Sequence, residues 1–313
     1  MTLRISAVVC THDRAHYLRR SLRSLASQTL PEDQFEIVVV DNASADDTAS
    51  VVSGEFKHLA NLRYLLEPKL GISRARNTGW RAARADIVAC LDDDAIAGPD
   101  WLKSILTFFE EGHERVGAVG GRIDPIWEAP RPPWLADALT PSLTVLDWPG
   151  DVRPIRSDEW IVAANIAFPR SVLEGIQGFR TDLGRRGSRL LSNEENLARF
   201  EIEDLGLVCY WDPRIAVSHH VHAGRLKRGW LRRRAWWQGV SEAVMRRYRS
   251  PLSMGSRVWR GTKAIGRVAT SPKVLWSLVA PSNDPEVFHR GCLGWYRLGY
   301  GMALLGLAAP RSP

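Results

Sequence analysis

Ile5-Ser-Ala-Val-Val-Cys10, Phe35-Glu-Ile-Val-Val-Val40, Leu62-Arg-Tyr-Leu-Leu66 and Asp86-Ile-Val-Ala-Cys-Leu91 are four short runs rich in apolar, often β-branched residues. Runs of this length read as strands, and unbroken apolar ones as strands buried on both faces. Between them lie stretches of helical spacing, around Ala15 to Ser27, from Ala45, and around Ser73 to Arg84. Strands alternating with helices predict a doubly wound, mostly parallel sheet flanked by helices.

In open α/β sheets ligands collect beyond the carboxyl ends of the strands. Three such ends carry polar groups: Thr11-His12-Asp13, Asp41-Asn42 and Asp92-Asp93-Asp94. Ser44-Ala-Asp-Asp47 reads as a capping box opening the second helix, which leaves Asp41 in the loop after its strand. Three adjacent carboxylates repel one another and favour a cation, most naturally hard Mg²⁺ or Mn²⁺ beside diphosphate oxygens. On spacing alone the triplet suits equally a solvated acidic turn that caps the helix begun by Gly98-Pro-Asp-Trp-Leu102. An EF-hand is excluded, because Ile96 stands where a loop ligand is needed.

Val8-Val-Cys-Thr-His-Asp-Arg14, Val38-Val-Val-Asp-Asn-Ala-Ser44, Gly71-Ile-Ser-Arg-Ala-Arg-Asn-Thr-Gly79 and Leu91-Asp-Asp-Asp94 occur in one order and spacing. In this the chain resembles the family 2 glycosyltransferases of GT-A fold. The resemblance implies that Thr11, Asp13 and Asp41 line the base and ribose pocket of a nucleotide-sugar. It implies that Asp92 and Asp93 hold the ribose and donor side, that Asp94 ligates the metal, and that Arg76 and Asn77 sit under the phosphates or sugar. The donor so implied is a UDP-, GDP- or dTDP-sugar, and the acceptor a glycan or a lipid-linked glycan in polysaccharide or glycoconjugate assembly.

The second half resembles the family's acceptor side at Ala163-Ala-Asn165-Ile-Ala-Phe-Pro-Arg170, which makes Asn165 a candidate acceptor contact. Asn193-Glu194-Glu195 opens a helical stretch to about Leu205 and matches the family's acidic pair. The resemblance implies that the second acidic residue, Glu195, is the candidate base and Glu194 the reserve, and a helix N-terminus favours an ionised carboxylate there. Among His219, His220 and His222, the family pattern points to His219 as a further metal ligand. One base and no covalent nucleophile predict direct displacement with inversion. The segment from Pro125 to Pro154, rich in Pro and Trp, reads as an irregular loop over the site, with Trp134 as an acceptor contact.

The chain has 313 residues, 45% of them hydrophobic, and a net charge of +7. All of that excess falls within residues 226–249, where Trp230, Trp237, Val240, Val244 and Tyr248 share one helical face. This basic amphipathic segment suits either packing on the catalytic domain or contact with an anionic membrane; it does not suit nucleic acid. Four cysteines without a CxxC pair read as core residues of a reducing compartment. The early first strand leaves no room for a signal peptide. The apolar run Leu298 to Ala309 is too short to span a bilayer. The expectation is a cytoplasmic enzyme, peripheral at the inner face of the membrane. Its catalytic domain covers residues 1–225, with a nucleotide-sugar half at 1–120 and an acceptor half at 121–225, and a basic, helical, amphipathic extension follows at 226–313. Two alternatives are a nucleotidyltransferase, which would want a glycine-rich loop where Thr11-His-Asp-Arg14 stands, and a non-catalytic GT-A-like scaffold.

Overall fold

The computed structural model describes residues 3–187 and 189–308; the end of the Leu298 to Ala309 run therefore lies outside the described residues. The chain forms two compact units. The first comprises Met1–Ile126, Val145–Thr181 and Glu195–His220, and the second Trp127–Thr144, Asp182–Glu194 and Val221–Pro313. The helical unit thus draws in two earlier segments besides the tail.

The elements of the first unit begin with β1 (Ile5–Thr11), α1 (Ala15–Ala26), β2 (Phe35–Asp41), α2 (Thr48–Ser50), β3 (Leu62–Leu66), α3 (Ile72–Ala82) and β4 (Ile87–Asp92). They continue through β5 (Ala95–Ala97), α4 (Trp101–Glu110), β6 (Val116–Gly120), β7 (Ile123–Trp127), β8 (Arg153–Pro154), β9 (Asn165–Pro169) and α5 (Arg170–Gly175). Then come α6 (Glu194–Asp204), β10 (Val208–Trp211) and β11 (Val217–Val221). The main sheet has the order β3-β2-β1-β4-β9-β6-β10-β8. It is parallel from β3 to β4, and β9 then runs antiparallel to both β4 and β6. The predicted strands and the doubly wound half are all present.

Register fixes where the polar strand ends lie. Thr11 pairs with Asp41 and Cys10 with Asp92, so the carboxyl ends of β1, β2 and β4 finish level. Helix α3 reaches the sheet through Gly79, where a Cβ would fall 2.3 Å from Val8 Cγ1. That close approach brings the earlier residues of α3, Arg76 among them, against the sheet. Cys10, Cys90 and Cys209 are buried strand residues, and burial pushes the Cys90 and Cys209 thiols up to about 12, as core cysteines require.

Two local readings change. The expected capping box at Ser44 does not form: Ser44 Oγ accepts from Asp13 N, and Asp46 Oδ1 accepts from Thr48 N at the helix start. The helix itself is one turn that widens into a π turn at Val51–Glu55. The Pro/Trp-rich segment is also less irregular than expected. Its ends enter two different sheets, β7 beside β11 and β8 beside β10, and its middle holds a 3₁₀ helix at Asp137–Leu143.

The second unit is built on α7 (Arg228–Arg249), α8 (Met254–Ala269), α9 (Pro272–Val279) and α10 (Pro285–Leu304). Helix α10 packs against the other three through glycines. A Cβ on Gly239 would lie 2.0 Å from Tyr296 O, and one on Gly299 2.2 Å from Trp236 O. Gly261 and Gly301 meet between α8 and α10 in the same way, and Gly291 meets Ser277 O of α9. Of the two readings of residues 226–249, packing or membrane contact, part of the segment meets the first. Val240 and Val244 are buried, and α10 crosses α7 tightly beside them. Among the described residues no helix is long and apolar enough to cross a membrane.

Glu36, buried on β2, accepts from Ser6 Oγ at 2.7 Å, Arg63 Nη1 at 2.9 Å and Arg84 N at 2.6 Å. Burial alone would raise its carboxyl, but these three donors outweigh burial and hold it below the usual range. A depressed carboxyl stabilises the fold above its unfolded value and loses that contribution as pH falls through the folded one. Glu36→Gln is therefore expected to cost about 2 kcal/mol in urea unfolding at neutral pH. The gap to wild type should close on acidification below about pH 4.

Candidate active site

The aspartate triplet leaves β4 at the level end of the sheet and turns at once into β5. Asp93 and Asp94 are buried, whereas Asp92 is partly open. Asp93 Oδ2 accepts from Thr11 Oγ1 at 2.8 Å. Arg14 Nη1 donates to Asp93 Oδ1 at 3.2 Å and to Asp94 Oδ2 at 2.9 Å. Burial raises the Asp93 carboxyl well above the usual range, and Asp94 and Asp92 add repulsion that Arg14 only partly offsets. Arg14 in turn is held more strongly protonated by Asp93 and Asp94, against the effect of its own burial.

β11 pairs antiparallel with β5, setting His219 opposite Ala95, and His220 N donates to Asp94 O at 2.8 Å. Successive residues of a strand face opposite ways, so His219 and His220 separate. His219, 1% exposed, places Nε2 3.1 Å from Asp94 Oδ1. His220 turns to Arg20, 3.4 Å from its Nε2, and to the ring of Tyr17. Asp92, Asp94 and His219 each offer a ligand atom, all within 4.8 Å of one another. The Nδ1 of His219 is buried with no hydrogen-bond partner among the described residues. Two carboxylates and an imidazole, buried together with an unsatisfied nitrogen, suit a divalent ion such as Mn²⁺. Asp92, assigned to the nucleotide side from resemblance, belongs to this cluster with Asp94.

Arg76 links that cluster to the candidate base. It is 5% exposed, and donates through Nη2 to Asp92 Oδ1 at 3.4 Å and through Nη1 to Glu195 Oε1 at 2.9 Å. Ala163 N lies 3.5 Å from the same Oε1. No bond within the described residues engages Glu195 Oε2. Glu194, the reserve, belongs to the second compact unit and Glu195 to the first.

Asp41, 2% exposed, accepts from Ser44 N on Oδ1 and from Tyr64 Oη on Oδ2 at 2.7 Å. Burial and that bond to Asp41 push the Tyr64 hydroxyl up to about 12. Asp13, at a positive φ of 52°, accepts from Ala45 N on Oδ1 at 2.6 Å. Thr11, Asp13, Asp41, Arg76, Asp92, Asp93, Asp94, Glu195 and His219 thus gather at the carboxyl end of the sheet.

Three predicted residues do not join them. The Asn77 amide donates to Phe179 O and accepts from Phe179 N and Trp80 Nε1, fastening α3 to the Gly178-Phe179 turn. Asn165 donates to Arg122 O and Ile215 O and accepts from Trp101 Nε1, which commits its amide to the core. Trp134 is buried in the second unit against Phe288 and the Arg228 guanidinium. Reading the sequence also left Arg14 and Tyr64 without a role. Arg14 stands within a quoted motif, so its position beside the triplet was open to inference; the approach of Tyr64 to Asp41 depends on the pairing of β2 with β3.

The family model described as Glycosyl transferase family 2 matches residues 6–157. That span contains Thr11, Asp13, Asp41, Arg76 and the triplet. Residues 6–157 belong to glycosyl transferase family 2. The glycosyltransferase chain is 28% identical over 246 residues to the glucosyl-dolichyl phosphate glucuronosyltransferase of Haloferax volcanii, covering 78% of this chain and 77% of that protein. Its fold is shared with the mannosyltransferase PcManGT from Pyrobaculum calidifontis in complex with GDP-Man and Mn²⁺. There the TM-score is 0.57 at 22% identity, over 100% of this chain and 77% of the other. S. aureus TarS 1-349 in complex with UDP-GlcNAc superposes with a TM-score of 0.54 at 15% identity, over 97% of this chain and 92% of the other. The GT-A fold implied by the sequence motifs is the fold observed.

Arg76→Ala leaves Asp92 and Glu195 facing each other without the shared cation. Losing one member of a buried ion pair should cost about 3 kcal/mol in chemical unfolding. Glycosyl transfer should fall about 100-fold or more, since the candidate base Glu195 loses its orientation, and Arg76→Lys should recover stability more fully than rate.

Proposed function

We propose that the protein transfers a sugar from a nucleoside diphosphate sugar to an acceptor hydroxyl by single displacement, with inversion at the anomeric carbon and a divalent cation at Asp92, Asp94 and His219. The observation that carries the reading is the convergence of those three residues with Glu195, joined through Arg76. Inversion rests on the presence of one oriented carboxylate, Glu195, beside the cation site.

Glu195 Oε2, the oxygen left open by Arg76, accepts the acceptor hydroxyl proton. The acceptor oxygen bonds to the anomeric carbon as the bond from that carbon to the diphosphate oxygen breaks, and the electron pair leaves with the diphosphate. A bound divalent cation supplies positive charge to the departing diphosphate. Arg14 neutralises Asp93 and Asp94 before the donor arrives, which limits the repulsion a diphosphate meets at the crevice. Asp41, Asp13 and Thr11 line the nucleotide side, with Asp41 and Tyr64 together presenting a polar edge for the base. The relative named as acting on glucosyl-dolichyl phosphate supports an acceptor carried on a lipid phosphate, in glycan or glycoconjugate assembly.

Nucleotide release from a panel of UDP-, GDP- and dTDP-sugars, with Mn²⁺ or Mg²⁺, tests this. Asp94→Ala and Glu195→Gln should each lower turnover by about 100-fold or more, and Glu194→Gln should leave it near wild type. EDTA should abolish turnover and Mn²⁺ restore it. Turnover that survives both Asp94→Ala and Glu195→Gln overturns the mechanism, and retention of anomeric configuration in the product overturns the single displacement.

A further inference from the structure

Helices α8 and α9 expose side chains that a soluble surface ordinarily hides. On α8, Trp259 is 59% exposed and Met254 69%. On α9, Trp276 is 57% exposed and Val279 70%, with Leu275 also outward. At helical spacing Pro272, Leu275, Trp276 and Val279 form one side of α9, and its buried residues, Val274 and Ser277, form the other. The outward side of α9 is therefore mainly apolar, with exposed Lys273 beside it, a pattern that calls for a covering partner.

Charge identifies the partner. From residue 254 to residue 283 the chain carries Arg257, Arg260, Lys263, Arg267 and Lys273 and no Asp or Glu. Lys263 Nζ lies 4.4 Å from the centroid of the Trp259 ring, so a cation and an aromatic share one outward site. Beside α8, Arg246, Arg247 and Arg257 border a hollow of about 210 Å³ floored by Leu252 and Leu304. A second copy of the chain is a poor partner, because a two-fold contact would set this uncompensated positive face against itself. A nucleic acid would leave Leu275 and Val279 unsatisfied. Tryptophans at the polar–apolar boundary, aliphatic residues beyond them and cations alongside are the composition of a helix lying in an anionic lipid surface.

We infer that α8 and α9 form a docking face for a bilayer containing anionic phospholipid. Trp259, Trp276 and Val279 enter the headgroup region while Arg260, Lys263 and Arg267 meet lipid phosphates. This role is separate from the transfer chemistry and does not depend on it. It also differs from the face read from the periodicity of residues 226–249, part of which α10 covers.

The full chain is tested by flotation with phosphatidylcholine vesicles and with vesicles of phosphatidylcholine and phosphatidylglycerol. It should float with the second kind and release at high salt. Trp276→Glu combined with Val279→Glu should reduce partitioning about tenfold or more, with far-UV circular dichroism and sugar-nucleotide turnover unchanged. Should that variant fold poorly, Arg260→Gln with Arg267→Gln alters only exposed cations, and each neutralised charge should weaken partitioning about fivefold. Wild type that fails to float with anionic vesicles, variants that float like wild type, or self-association lost on the same substitutions would each overturn the inference.

Discussion

Three consecutive carboxylates at the end of β4, two of them withdrawn from water, set the terms for everything around them. Burial and mutual repulsion disfavour their charge, and a fold that keeps them there must supply cations or protons. Arg14 arrives from the start of α1 to meet Asp93 and Asp94, His219 from β11 to meet Asp94, and Arg76 from α3 to meet Asp92. Each comes from a different element, so the triplet in effect ties α1, α3, β4 and β11 into one site. Arg76 then extends the network to Glu195, which couples the position of that carboxylate to the charge on Asp92.

That arrangement explains why the amides of Asn77 and Asn165 serve the scaffold. A guanidinium bridging two carboxylates at 2.9 and 3.4 Å requires its helix to be held against the sheet with little play. Asn77, one residue beyond Arg76, provides that hold through three hydrogen bonds to Trp80 and Phe179. Gly178 permits it: with φ at 74°, a Cβ there would fall 2.4 Å from Asn77 Oδ1. Motif residues adjacent in sequence have divided the work, one joining the carboxylates and the next securing the backbone.

The helical unit follows a different rule. Its helices meet backbone to backbone at glycines, and hydrophobic periodicity does not register such contacts. Residues 226–249 looked like an amphipathic surface helix because Val240 and Val244 repeat at helical spacing among arginines. Gly239, which adds nothing to a hydrophobic pattern, is what lets α10 approach and cover that side. The exposed apolar face then falls to the shorter helices α8 and α9, where the sequence signal is weaker but the exposure is plain.

The sequence by itself determined the order of strands and helices in the first 120 residues, the placement of Thr11, Asp41 and the triplet beyond strand ends, and the family. These follow from local periodicity and from motifs contained within single βα units, so neighbouring residues carry the information. The tertiary structure decided which of three histidines faces Asp94, that Asp92 lies within reach of Asp94 and His219, and that Arg76 rather than Asn77 joins the carboxylates. It also set Glu195 against Arg76 and turned part of the α7 face inward. Each of those outcomes depends on side chains brought together from distant parts of the chain, where strand pairing, glycine-permitted approach and the neutralisation of buried charge select one partner from several that spacing alone allows.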